Sequence, residues 1–185
     1  MTENPGLSFT RRFTRAGDDV YAIPTRRVDV EIKDVNGDVI YKQPGVEVPE
    51  SWSEQAAKIV ASKYLKDSLG EEHGHREYSV KQLVSRVVDT IADQGTRFGY
   101  FSEEQRATFR DELAHLMLTQ RASFNSPVWF NVGLAEKYGF RESTKNELFH
   151  YAYDGNGGFT NKIDMYERPQ VSACFISAIG DSMGD

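Results

Sequence analysis

Apolar and polar positions first fall into a regular pattern at residue 28. Val28, Val30 and Ile32 are separated by Asp29, Glu31 and Lys33, and Val39 and Tyr41 resume the alternation after Asn36-Gly37. A period of two predicts strands, and Asn-Gly predicts a tight turn with positive φ, so this stretch reads as a β-hairpin with one apolar face that must pack on something. Pro44-Gly45 and Pro49 are expected to mark its exit, and residues 1–25 read as an extended arm.

The period then changes from two to that of a helix. Ser51 and Glu54 have the spacing of a capping box and predict a helix to about Lys66, with Trp52, Ala56, Ile59, Val60 and Lys63 on one face. Residues 67–77 read as a polar loop. Ser79 and Gln82 form a second capping box, and Val80, Leu83, Val84, Val87, Val88 and Ile91 make a continuous apolar stripe, with Gly95 expected as the stop. A third helix is expected from Ser102, again with a glutamine three residues on, presenting Phe109, Leu113, Leu116 and Met117.

After Gln120 the periodicity is lost. Residues 123–133 read SFNSPVWFNVG, and Pro127 suits an edge, a bulge or a loop rather than a central strand. Residues 134–168 read as an excursion with a short helical piece, Gly-rich around 154–158. Residues 171–179 are apolar and strand-like, and Asp181-Ser182 would suit the start of another helix.

Composition narrows the class. The 185 residues are 39% hydrophobic and 27% charged, as in a folded soluble domain. The net charge of −6 argues against a nonspecific nucleic-acid partner, which needs a basic surface. Arg11, Arg12, Arg15, Arg26 and Arg27 make one end locally basic, and the favoured reading is a solvated, mobile end rather than a phosphate site. No apolar run is long enough to span a membrane, and residues 1–6 lack the apolar core of a signal peptide, so the expected location is the cytoplasm. The single cysteine excludes an internal disulfide and a Cys-rich zinc site.

Few residues stand out chemically by themselves. Cys174, alone in an apolar stretch, reads as a buried core residue. His73 and His75 have no third ligand in view and read as solvated; His115 and His150 have no nameable partner. The loop at 154–158 lacks the lysine and Ser/Thr of a phosphate-binding loop. Asn125-Ser126-Pro127 is the best polar candidate. A proline fixes the backbone beside a hydroxyl that can donate and accept, which suits holding a ligand and suits a plain turn equally.

Several segments together resemble one family, the B12-dependent (class II) ribonucleotide reductases. They are GVEVPESWSEQAAKIVASKYLK (45–66), REYSVKQLVSRVVDTIADQG (76–95), GYFSEEQ (99–105), FNSPVWFNVG (124–133) and PQVSACFIS (169–177). They occur in the family's order, and the last two are its most specific blocks. The resemblance implies reduction of ribonucleotides by radical chemistry with adenosylcobalamin, in a ten-stranded α/β barrel. It gives Cys174 the role of the first of two reducing cysteines, Ser126 a substrate contact, and Ala173 a backbone contact to the nucleotide. Under this resemblance Cys174 is a working thiol and not a core residue.

The expected fold is therefore α+β: a hairpin on a helical region over residues 1–120, then the start of a truncated catalytic barrel over 121–185. The implied partners are a ribonucleoside diphosphate, the missing remainder of the reductase, a thioredoxin-like reductant and a possible homodimer, with no membrane or nucleic acid. The partner cysteine, the thiyl cysteine and the substrate-phosphate loop of the family have no counterpart here, so the 185 residues are expected to be inactive alone, as a fragment or as one half of a split enzyme. A noncatalytic docking module derived from the same region is the alternative.

Overall fold

A computed structural model describes residues 6–74, 76–141, 149–153 and 159–174, with the side chains of 73, 149–153 and 159–163 excepted. Strand β1 (Thr25–Lys33) pairs antiparallel with β2 (Val39–Pro49). Helices α1 (Glu54–Lys63), α2 (Val80–Arg97) and α3 (Glu103–Leu118) follow, then the short helices α4 (Ser126–Asn131) and α5 (Leu134–Tyr138). A second antiparallel pair, β3 (Phe149–Tyr153) and β4 (Phe159–Asp164), precedes an irregular stretch to Cys174. The class is α+β, and no barrel strand is found among the described residues. No described helix is long and apolar enough to cross a membrane.

The hairpin forms where alternation placed it, but its turn is wider than a two-residue turn. Asp34 to Asp38 make the loop, with the Asp34 Oδ1 accepting from the amides of Asn36 (2.8 Å) and Asp38 (2.9 Å), while Gly37 supplies a φ of 91°. Pro44-Gly45 does not end β2. The register shifts between the Val28–Val46 and Val30–Gln43 pairs, so these residues form a bulge inside the strand, a place where a proline's missing N–H is tolerated. The inward face, with Val30, Val46 and Val48 buried, packs against α1 and α2.

Helix α2 is the core of the molecule. Its capping box closes as expected: Ser79 Oγ accepts from the Lys81 amide and Gln82 Oε1 accepts from the Ser79 amide at 3.0 Å. Val80, Leu83, Val84, Val87 and Val88 are all buried against both the hairpin and α3. Gly95 is not the stop. It sits inside the helix because the Phe101 ring lies 2.1 Å from where a β-carbon would be, and the chain turns instead at Gly99, with φ +69°.

The first and third helices depart from their expected starts. The cap of α1 is Ser53, whose oxygen accepts from the Ala56 amide at 3.1 Å; Trp52 is held outside the helix by donating its Nε1 proton to the Leu118 carbonyl at 2.7 Å. The helix ends at Lys63, and its buried face is Ala57, Val60 and Ala61, which leaves Ile59 exposed. At α3, Gln105 does not fold back on Ser102. Its Oε1 accepts from the Phe9 amide at 2.7 Å.

That bond belongs to a larger correction. The basic end does not extend freely into solvent; residues 9–14 lie along α3. The Glu112 carboxylate accepts from the amides of Arg12 (2.9 Å), Phe13 (3.1 Å) and Thr14 (2.8 Å) and from the Thr14 hydroxyl (2.6 Å). Arg11 pairs with Asp111 at 2.9 Å, and Phe13 stacks on His115. Desolvation alone would raise the Glu112 carboxyl, but the Thr14 hydroxyl and the three amides outweigh it and hold the group down at about 2.

Candidate functional site

The block FNSPVWFNVG folds as helix α4, neither strand nor open loop. Asn125 caps it, accepting from the Val128 amide at 3.3 Å, and Pro127 falls in the first turn, where a missing N–H costs nothing. Ser126 is thereby the first helical residue. It is partly buried, with its Oγ 3.1 Å from the Tyr64 hydroxyl at the end of α1. Tyr64 also stacks on Phe130, centroids 5.3 Å apart, so α1 and α4 are joined twice at this point.

A buried polar hub fixes the other end of α4. Arg86 of α2 and Glu77 before it are 1% and 0% exposed, and Arg86 Nε donates to Glu77 Oε1 at 2.8 Å. Arg86 Nη2 also donates to Glu77 Oε2 at 3.3 Å, and Nη1 and Nη2 donate to the carbonyls of Val132 (2.5 Å) and Trp129 (3.1 Å), which are left without helical partners at the end of so short a helix. Glu77 in turn accepts from the Lys66 amide (2.9 Å) and the Tyr138 hydroxyl (3.0 Å). Burial, with the Glu77 carboxylate as acceptor, pushes the Tyr138 phenol above its ordinary range. Gly133, at φ +80°, brings the chain over this hub; a β-carbon there would lie 2.4 Å from the Arg86 carbonyl.

None of these hub residues was singled out from the sequence. Arg86 borders the apolar stripe of α2, roughly 60° around the helix from Leu83, where a long cation ordinarily carries its charge out to water. Its burial depends on acceptors that come from residues 77, 129 and 132, far apart in the chain. A readable trace is Gly133 itself, since a glycine closing an aromatic block marks a close approach.

The segment carrying the cysteine is of a different kind. Residues 171–174 have no regular structure, so the expected strand does not begin there; 175–179 lie outside the described residues. Ala173 and Cys174 are exposed, and the thiol is not a core residue. A link joins this segment to α4: Asn131 Nδ2 donates to the Gln170 carbonyl at 3.4 Å, and Gln170 Oε1 accepts from the Ser172 amide at 2.9 Å. The two most specific sequence blocks are thus neighbours through Asn131 and Gln170. Pro169 and Val171 also line, with Phe98, Tyr100 and Val132, a cleft of about 800 Å³.

No group of three or more candidate ligands occurs among the described residues. The His115 ring lies flat on Phe13, 5.2 Å between centroids. The His73 side chain, His75, the His150 side chain and the loop at 154–158 lie outside the described residues. His115 is the one imidazole among the described side chains, and its ring is taken up by the stack on Phe13.

Sequence comparisons complete the picture. Residues 26–120 match the family of class II vitamin B12-dependent ribonucleotide reductases. The vitamin B12-dependent ribonucleotide reductase of Rhodopirellula baltica is 41% identical over 156 residues, covering 83% of this chain and 14% of the relative. Those of Streptomyces avermitilis and Agrobacterium fabrum are 36% and 31% identical, covering 98% and 96% of this chain and 16% of each relative. The chain spans only a small fraction of the length of these relatives. Matching one family over most of its length, this chain belongs to the class II vitamin B12-dependent ribonucleotide reductases and corresponds to their N-terminal region.

Proposed function

We propose that this chain is the N-terminal portion of an adenosylcobalamin-dependent ribonucleoside-diphosphate reductase, working in the cytoplasm. It supplies Ser126 and the Ala173 backbone to the substrate and Cys174 to the reduction. The observation that carries the reading is the exposed Cys174 on a segment hydrogen-bonded to the helix that bears Ser126. A buried cysteine could not reach a substrate; an accessible thiol can act as both acid and reductant.

Adenosylcobalamin supplies the radical that opens such a reaction, and its cradle is expected from sequence beyond the described residues. The work assigned to this chain is simpler. Ser126 hydrogen-bonds the nucleotide, and Cys174 gives a proton to the departing 2′ oxygen. Over the whole reduction two thiols become a disulfide, the 2′ hydroxyl leaves as water and a C–H bond takes its place. Since the 185 residues hold a single cysteine, the second thiol must come from elsewhere, as must most of the barrel in which the substrate sits. The 121–185 portion is the entry to that barrel under this reading, and a thioredoxin-like dithiol restores the pair.

The purified 185-residue chain, given CDP, adenosylcobalamin and dithiothreitol, is expected to form no deoxycytidine diphosphate; measurable product would overturn the assignment. In a complete reductase carrying this region, Cys174→Ser should abolish turnover sustained by the dithiol. Retained turnover would favour the docking-module reading, because docking needs no thiol.

A further inference from the structure

We infer that Tyr64 is a positioning residue for Ser126, orienting the serine hydroxyl as a hydrogen-bond donor toward the substrate. This rests on the proposed substrate contact of Ser126 and adds the residue that controls it. Tyr64 closes α1, its amide donating to the Val60 carbonyl at 2.9 Å, so its backbone is fixed by the helix end. Its ring is fixed independently by stacking on Phe130 (5.3 Å between centroids, 25° between planes) and by forming part of the wall of a cleft of about 420 Å³ with Trp52, Val60 and Trp129. Held at both ends, the phenol has little choice of position, and its oxygen lies 3.1 Å from Ser126 Oγ.

The direction of this bond matters. Each hydroxyl has one proton to donate and lone pairs to accept with. If Ser126 donates to Tyr64, its only proton is spent, and it can offer a ligand nothing but lone pairs. If Tyr64 donates, the serine proton is free. The substrate group that a serine would meet in a ribonucleotide is rich in acceptors: phosphate and carbonyl oxygens. Binding such a group selects the chain in which the Tyr64 proton points to Ser126 and the Ser126 proton points to substrate. Each bond in such a chain polarises the next, so the serine becomes a better donor than an isolated one. Tyr64 touches no reacting atom in this scheme; it acts through Ser126.

The test is a double-mutant cycle of Tyr64→Phe and Ser126→Ala in a complete reductase carrying this region, assayed with CDP, adenosylcobalamin and dithiothreitol. Tyr64→Phe keeps the ring against Phe130 and removes only the hydroxyl. It is expected to raise KM by roughly 5-fold, the size of one lost hydrogen bond, with kcat changed much less. Ser126→Ala should raise KM at least as far, and the double variant should be no worse than Ser126→Ala alone. Additive losses, or a Tyr64→Phe enzyme with unchanged KM beside an impaired Ser126→Ala enzyme, would overturn the positioning role and leave the serine contact standing. An unimpaired Ser126→Ala enzyme would instead overturn the serine contact, and the role of Tyr64 with it. Thermal unfolding of Tyr64→Phe and Tyr64→Leu separates a folding defect from this effect: the phenylalanine variant should unfold like the parent and still show the KM change, whereas loss of KM and stability together in both variants would mean a purely structural tyrosine.

Discussion

Two polar clusters border α2 at neighbouring positions and are built in opposite ways. In the first, Glu77 and Arg86 are fully buried, and the guanidinium reaches the Glu77 carboxylate and the carbonyls of Trp129 and Val132. In the second, Tyr21, Asp89 and Arg110 meet at looser spacing, with Arg110 Nε 3.4 Å from Asp89 Oδ1. The Tyr21 hydroxyl, that carboxylate oxygen and that Nε are buried atoms without a hydrogen-bond partner. Hydrogen-bond saturation decides what each cluster can hold in place. A saturated buried pair ties three separate stretches into one geometry, here the geometry of the helix carrying Ser126. The looser cluster joins Tyr21, α2 and α3 through ion pairs of 3.4 and 3.5 Å rather than hydrogen bonds, and buried polar atoms without hydrogen bonds cost stability and add little specificity.

The sharpest way to break this contrast is Arg86→Met. It leaves Glu77 as an uncompensated buried charge and should cost about 3–5 kcal/mol in urea unfolding of the chain. Glu77→Leu combined with Arg86→Met should recover part of the loss. Recovery ought to be incomplete, because the carbonyls of Trp129 and Val132 still lose their donors. Full recovery would show that the hub does not hold α4.

Acid should separate donor-rich from donor-poor carboxylates. Glu112, held at about 2 and so below its ordinary 4.5, contributes stability that is complete above 4.5 and lost as pH falls from there through about 2. Asp89 has the opposite sign: burial raises its carboxyl above the ordinary 3.8 against the pull of Arg110, so its contribution is present below 3.8 and lost as pH rises through the raised value. Amide resonances of Arg12, Phe13 and Thr14 should therefore shift between pH 4.5 and about 2, and Glu112→Gln should remove that titration; a transition already complete above pH 4.5 would contradict the geometry.

The smallest effect is expected at Tyr21→Phe. Its hydroxyl makes no well-formed hydrogen bond, and burial and Asp89 push the phenol above its ordinary range against the pull of Arg110, so deleting it should change stability by less than about 0.5 kcal/mol or increase it slightly. A large loss would mean that the cluster is held together by a group, such as a bound water, that satisfies it.

Much of the scaffold was legible because it depends on local order. Alternation at 28–32 made a strand pair, and the Ser79–Gln82 spacing together with the valine stripe made α2, since capping and amphipathic burial need only residues within a few turns of one another. The family blocks were likewise readable as strings, and residues 26–120 match the family they suggested.

Tertiary contacts decided the rest. Trp52, anchored on Leu118, moved the cap of α1 from Ser51 to Ser53. Glu112 gathered in the arginine-rich arm, and Phe101 turned Gly95 from a stop into a packing site. By sequence Pro127 suits an edge, a bulge or a loop, yet with Asn125 capping ahead of it the same residue sits in the first turn of a helix. Local patterns in the chain set where segments could be strand or helix and which family they resemble, because those properties are short-range. Only the folded structure brought Tyr64 to Ser126 and Arg86 to the end of α4, because hydrogen-bond partners 62 and 43–46 residues apart leave no local pattern to read.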